Sequence, residues 1–125
     1  MLPSICSKGV FFKFFSPYCP HCNAMAAAWT EFHQNQKQNV HVGSIDCTSD
    51  ESSKLCEEFN IQRYPTLIYC PPRTAQDTDY ACFGYKGERT ADSFTLFYVE
   101  DYKYSREKVR FPKLQMSFYP QKSFG

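Results

Sequence analysis

GVFFKFFSPYCPHC, residues 9–22, constrains this chain more than any other stretch. GVFFKFF is a dense aromatic run and reads as a buried strand over 9–15. Ser16 and Pro17 break it. From Pro20 onward, HCNAMAAAWTEFHQNQKQ favours helix, and Cys22, Met25, Ala26, Trp29 and Phe32 recur on one apolar face. A strand that runs through a short loop into Cys-x-x-Cys at a helix start is a demanding arrangement. It sets Cys19 at or beside the helix N-terminus, where unpaired backbone N–H groups stabilise an anion.

The remaining elements follow from the same rules. VHVGSID (40–46) alternates as a second strand, and TSDESSKLCEEF (48–59) reads as a short helix with a Ser or Asp cap and acids in its first turn. RYPTLIYC (63–70) is a strand entered through a proline. A turn-rich connection (70–82) leads to a strand, ACFGY (81–85), and GERTADSFTLFYVEDY (87–102) opens with a Gly turn and becomes a last helix. A βαβ unit followed by a β-hairpin and a helix predicts an α/β sandwich. No internal repeat is evident.

The chemistry of the pair can be reasoned from its residues. The thiolate is the nucleophile, and a Cys-x-x-Cys thiol at a helix start has a depressed pKa. Cys22, about one turn on, can resolve a mixed disulfide by attacking Cys19 from behind. Pro20 fixes φ, lacks an N–H and suits the first helical turn. His21 adds a potentially positive group. Both favour the thiolate, which makes the disulfide more oxidising. Two buried structural thiols are the plain alternative. Zinc needs four ligands and usually a second close pair, which is absent, and His33 and His41 are scattered. No metal and no cofactor is expected.

Composition bounds the rest. The 125 residues suffice for one core, and 42% apolar with 18% aromatic residues suits a packed globule. The net charge of +1 gives no bias toward nucleic acid or membrane. It hides an asymmetry: in residues 103–125, Lys103, Arg106, Lys108, Arg110, Lys113 and Lys122 face Glu107 alone. Residues 1–102 form the expected domain. Residues 103–125 read as a basic aromatic tail or an extra element. Seven cysteines favour an oxidising compartment. No stretch has the ~20 apolar residues of a membrane helix. The ends carry neither a signal peptide nor a retention signal, so the chain reads as a mature fragment or an incomplete gene model.

Three blocks together resemble the thioredoxin fold, and within it the catalytic domain of protein disulfide isomerases. FFKFFSPYCPHC resembles the segment with the usual Trp-Cys-Gly-His-Cys run. SIDCTSDESSKLCEEFNIQRYPTL resembles the segment with a second cysteine pair and Tyr-Pro-Thr. YKGERTADSF resembles the Gly-x-Arg stretch before the last helix. The resemblance covers roughly residues 9–100. It implies that Cys19 attacks, Cys22 resolves and His21 poises the pair. It implies that Pro65 is cis and that the Tyr64 backbone holds an extended substrate. Arg89 would swing toward the resolving cysteine and lower its pKa, or be an ordinary surface arginine.

Several departures carry expectations. Pro20 replaces glycine, as in bacterial periplasmic disulfide oxidases. Tyr18 replaces tryptophan and keeps an aromatic platform. Ala27 stands where the family has a kinking proline, which predicts a straighter helix. Lys13 stands where many members bury a proton-shuttling glutamate. Buried, it could accept the Cys22 proton as a neutral amine; otherwise it snorkels to solvent. The family's first strand and helix are not visible before residue 9.

The resemblance pairs Cys47 with Cys56, with two reduced thiols as the alternative. Cys70 and Cys82 flank a connection between probable antiparallel strands and can bridge if their Cα atoms lie within ~7 Å. Cys6 has no assigned partner. The leading expectation is a thiol-disulfide oxidoreductase or isomerase of the endoplasmic reticulum lumen or another secretory compartment. It would act on unfolded or misoxidised proteins, reset by a redox partner. A thioredoxin-type reductase is the second reading, and Pro20, His21 and the extra cysteines weigh against it. A redox-inactive chaperone using Tyr18, Tyr64 and Phe15 is the third, and would survive replacement of both Cys19 and Cys22 by serine. Binding of an acidic or membrane surface by the tail is the fourth.

Overall fold

The computed structural model describes residues 8–72 and 79–112. Strand β1 (Val10–Phe15) is followed by helices α1 (Pro20–Ala24) and α2 (Ala26–Gln36), then β2 (His41–Asp46) and α3 (Asp50–Glu58). Next come β3 (Thr66–Cys70), β4 (Asp79–Tyr85), α4 (Ala91–Val99), a 3-10 turn (Asp101–Tyr104) and β5 (Lys108–Pro112). The sheet order is β2-β1-β3-β4-β5. β1 runs parallel to β2, and the other neighbours are antiparallel. This is the mixed sheet with flanking helices of a thioredoxin-like fold. Among the described residues, no strand or helix precedes β1.

The aromatic run of β1 is explained by its place. Helices cover both faces of the sheet there, so alternate residues find different cores. Phe12 and Phe14 face α3, where both rings meet Phe59 at 5.3 and 5.0 Å. Phe11 faces α2 and α4, edge-on to Trp29 at 5.3 Å and Phe32 at 5.5 Å. Edge-to-face pairing adds to the burial of rings this large.

Ser49 caps α3 through Glu51 N–H, and Thr90 caps α4 through Ser93 N–H. β3 begins at Thr66 rather than Arg63, because Pro65 has no ladder donor; the Tyr64–Pro65 peptide is cis. Within the 87–102 segment the last helix covers Ala91–Val99, and the 3-10 turn takes over its end.

One expectation is revised by the chain's own geometry. The helix after Cys19 is not straight: it is interrupted at Met25, with φ −96° and ψ 0°. Met25 N–H bonds the Cys22 carbonyl at 3.3 Å, a tightened 3-10-type turn. Met25 is also fully buried in the aromatic cluster, so packing keeps the break without proline. Within residues 103–125, residues 108–112 form β5, which pairs with β4. Residues 113–125 lie outside the described residues, as does Cys6.

Candidate functional site

Ser16 ends β1 inside the fold. Its carbonyl accepts Cys19 N–H at 3.2 Å and its hydroxyl accepts Tyr18 N–H at 3.1 Å. This turn lifts Tyr18 into solvent, 84% exposed, and delivers Cys19 as the N-cap of α1. Pro20 takes the first helical position, where no N–H is required. The Cys19 sulfur accepts Cys22 N–H at 3.3 Å.

The two thiols sit in unlike surroundings. Cys19 is partly exposed and Cys22 is 2% exposed, both unbridged. The hydrogen bond shared with Cys22 lowers the Cys19 pKa first, aided by the backbone N–H groups of Cys22 and His21 and by the Arg89 charge. Burial raises the Cys22 pKa, and the bond to Cys19 adds to this; the Ser16 backbone and Lys13 oppose it. Cys19 therefore ionises first, while Cys22 holds its proton.

Lys13 lies on β1, the strand that leads into the site, only 8% exposed, with its ammonium 4.9 Å from the Phe15 ring centre. Burial lowers its pKa, and a Cys22 thiolate would raise it. It does not snorkel to solvent.

The cis Tyr64–Pro65 bond faces the pair. The Cys19 thiol donates to the Tyr64 carbonyl at 3.6 Å, and the Tyr64 ring is exposed. On ionisation Cys19 has no proton to donate, and that carbonyl becomes free for an incoming N–H. Arg89 is exposed in the loop before α4, and in this conformation its charge acts on Cys19. His21 is exposed and contributes its backbone N–H.

The structure thus gathers Lys13, Tyr18, Cys19, Pro20, His21, Cys22, Tyr64, Pro65 and Arg89 around one end of β1. Ser16 belongs with them and was not singled out from the sequence. Its signal was the Ser-Pro turn pair at a strand end. The other four described cysteines are bridged. Cys47 and Cys56 are joined with Cα atoms 5.9 Å apart, and Cys70 and Cys82 with Cα atoms 4.3 Å apart. Among the described residues, no group of three His, Cys, Asp or Glu side chains could hold a metal ion.

With this geometry in view, the thioredoxin family model matches residues 4–97. Mouse protein disulfide-isomerase A2 is 32% identical over 93 residues, 73% of this chain and 16% of that protein. Protein disulfide-isomerase 1 of Dictyostelium discoideum is 30% identical over 108 residues, 83% of this chain and 28% of that protein. The chain thus spans less than a third of either relative. The J-Trx1 fragment of ERdj5 superposes with a TM-score of 0.61 at 26% identity, covering 77% of this chain and 44% of the fragment. The first thioredoxin domain of mouse protein disulfide-isomerase A4 shares the fold, with a TM-score of 0.60 at 24% identity over 77% of this chain and 64% of that domain. The match along most of the chain and the shared architecture together make this chain a member of the thioredoxin family, a domain of the kind that protein disulfide-isomerases carry.

Proposed function

We infer that the chain is a protein thiol-disulfide oxidoreductase that works through Cys19 and Cys22, forming, reducing or reshuffling disulfides in protein substrates. The observation that carries this reading is the split between the two thiols. One is accessible with a lowered pKa, and the other is buried with a raised pKa.

In the reducing direction, the Cys19 thiolate attacks one sulfur of a substrate disulfide. The substrate S–S bond breaks, a Cys19–substrate disulfide forms, and the departing substrate thiolate takes up a proton. Lys13, whose charged form burial disfavours, accepts the Cys22 proton from its free-amine form. The Cys22 thiolate then attacks the Cys19 sulfur, releasing the second substrate thiol and leaving Cys19–Cys22 oxidised. Two electrons have passed from the pair to the substrate. Oxidation of a substrate dithiol is the reverse. Reshuffling stops at the mixed disulfide and needs no net electrons. Tyr18 offers an aromatic platform, and the Tyr64–Pro65 backbone offers hydrogen bonds to an extended chain. Arg89 and His21 favour the Cys19 thiolate. No cofactor is required beyond a redox partner that resets the pair. The two further disulfides support a site of action in the endoplasmic reticulum or another secretory compartment.

The test is the reduction potential of Cys19–Cys22, by glutathione equilibration with trapping of free thiols. A value near about −180 mV or higher supports the oxidase or isomerase reading. A value near about −270 mV shifts it to a thioredoxin-type reductase. A pair that never cycles leaves the redox-inactive chaperone.

A further inference from the structure

A groove of about 830 Å³ opens beside the site. Its near end is formed by Pro65 and Arg89, next to the Tyr64 carbonyl that faces Cys19. Ile61 and Ile68 line its floor, and Val109 of β5 forms its far wall. Among the described residues, α3 is the one helix whose buried side chains join the core on this face. α3 packs over β2, and the groove runs beside its C-terminal end, along β3 toward β5. The wall is held tightly: Glu107 accepts the Gly84 N–H at 2.6 Å. A Cβ at Gly84 would sit only 2.8 Å from the Glu107 Cβ, so glycine is what lets the two strands approach.

The rim carries mostly positive charge. Arg63, Lys86 and Arg89 are exposed along it, and Glu107 is the lone acid among the lining residues. Glu107 pairs with Lys86 at 3.6 Å. Three cations over an apolar floor face one carboxylate, so the groove carries an excess of positive charge. Such charges act on encounter and register across a boundary more than on raw affinity.

We propose that this groove holds the polypeptide segment adjoining the substrate cysteine, and that Arg63 and Lys86 select segments carrying carboxylates among apolar residues. The inference rests on Cys19 being the attacking thiolate. Continuity with the Tyr64–Pro65 backbone and the charge of the rim decide the occupant. The groove adjoins the backbone at Tyr64 through its neighbour Pro65. A substrate chain's acidic side chains would reach the cations while its apolar side chains cover Ile61 and Val109.

The test uses two peptides with the same apolar residues and one intramolecular disulfide, flanked by two Asp in one and two Lys in the other. Each rate of reduction by the reduced protein is divided by the same peptide's rate with dithiothreitol, which removes intrinsic differences in reactivity. The Asp peptide should be favoured about three- to ten-fold at low salt, two exposed pairs contributing. The preference should collapse toward one at about 0.5 M salt. In Arg63→Glu/Lys86→Glu it should invert. Equal normalised rates at low salt overturn the proposal, as does a preference that the double variant leaves intact. Should that variant not fold, the salt series on the native chain and Lys86→Gln alone decide. Cys19→Ser separates the two inferences. If it still reduces either peptide, the assignment of Cys19 fails; if it is inert while the native chain shows no preference, only the groove assignment fails.

Discussion

At the residue scale, the structure makes two chemically identical thiols unequal. Cys19 receives the hydrogen bond shared with Cys22, then backbone N–H groups and the Arg89 charge, and Cys22 receives burial. A thiolate forms where the pKa is lowered, so the two should separate in a pH titration of alkylation. The rate at Cys19 should rise with a midpoint below the ordinary value of 9.0, and that at Cys22 with a midpoint above it. Iodoacetamide labelling followed by peptide mapping reads both, and a shared midpoint would refute the split. Lys13 supplies the second prediction. Lys13→Met should slow resolution of the Cys19 mixed disulfide about a hundred-fold, the low end of general-base contributions, while leaving the first attack unchanged. Rapid-quench trapping would show the mixed disulfide accumulating; unchanged decay would leave Lys13 a purely structural residue. The same variant should melt higher at neutral pH. With its folded pKa lowered, Lys13 binds fewer protons in the native than in the unfolded state, so it destabilises below the ordinary 10.5. That gain should shrink as pH rises toward 10.5.

At the scale of elements, the site is assembled by terminations. β1 stops at Ser16, α1 starts at Cys19, and β3 starts only after a cis proline. Both disulfides also lie where elements meet. Cys47 follows β2 and reaches into α3 at Cys56. Cys70 and Cys82 extend the ladder of Leu67–Tyr85, Ile68–Gly84 and Tyr69–Phe83 by one directly opposed pair. The two bridges close loops of similar span, with sequence separations of 9 and 12, so chain entropy values them alike, at about 2–3 kcal/mol each. Packing distinguishes them. Cys70 and Cys82 are fully buried, whereas Cys47 is partly exposed. Cys70→Ala/Cys82→Ala should therefore lower the urea midpoint more than Cys47→Ala/Cys56→Ala, because it leaves a cavity as well as a longer free loop. An equal loss would mean that loop closure alone governs both.

At the scale of the whole molecule, one strand carries the core. β1 contributes Val10, Phe12 and Phe14 to one face and Phe11 to the other. Phe11 touches α2, β3, β4 and α4 through Trp29, Phe32, Tyr69, Tyr85 and Phe94. Phe11→Ala should cost about 3–5 kcal/mol, a large share of the ~5–15 kcal/mol that holds most domains together. Urea denaturation by near-ultraviolet signal would measure it. A loss under about 1 kcal/mol would mean that the cluster collapses into the space. β5 adds a wall that lies beyond the 1–102 limit drawn from composition, and it is this strand that closes the charged groove.

Much of this was legible in the residues themselves. Periodicity marked β1, β2 and the helices, because a strand buried on both faces must be apolar throughout and an amphipathic helix must repeat near 3.6. The Cys19–Cys22 spacing marked the candidate pair, and the three matching blocks marked the fold. What stayed hidden was whatever depends on distant chain. The burial of Lys13 is set by the packing around β1. The break at Met25 is kept by packing without proline. The pairing of residues 108–112 with β4 leaves no local signal beyond alternating basic and aromatic residues. Sequence alone determined which residues could react, since that follows from side-chain chemistry and local helix geometry. Only the tertiary structure decided which thiol is exposed, which amine is dry and where the positive groove runs, because burial and field are sums over neighbours that the chain brings together from far apart.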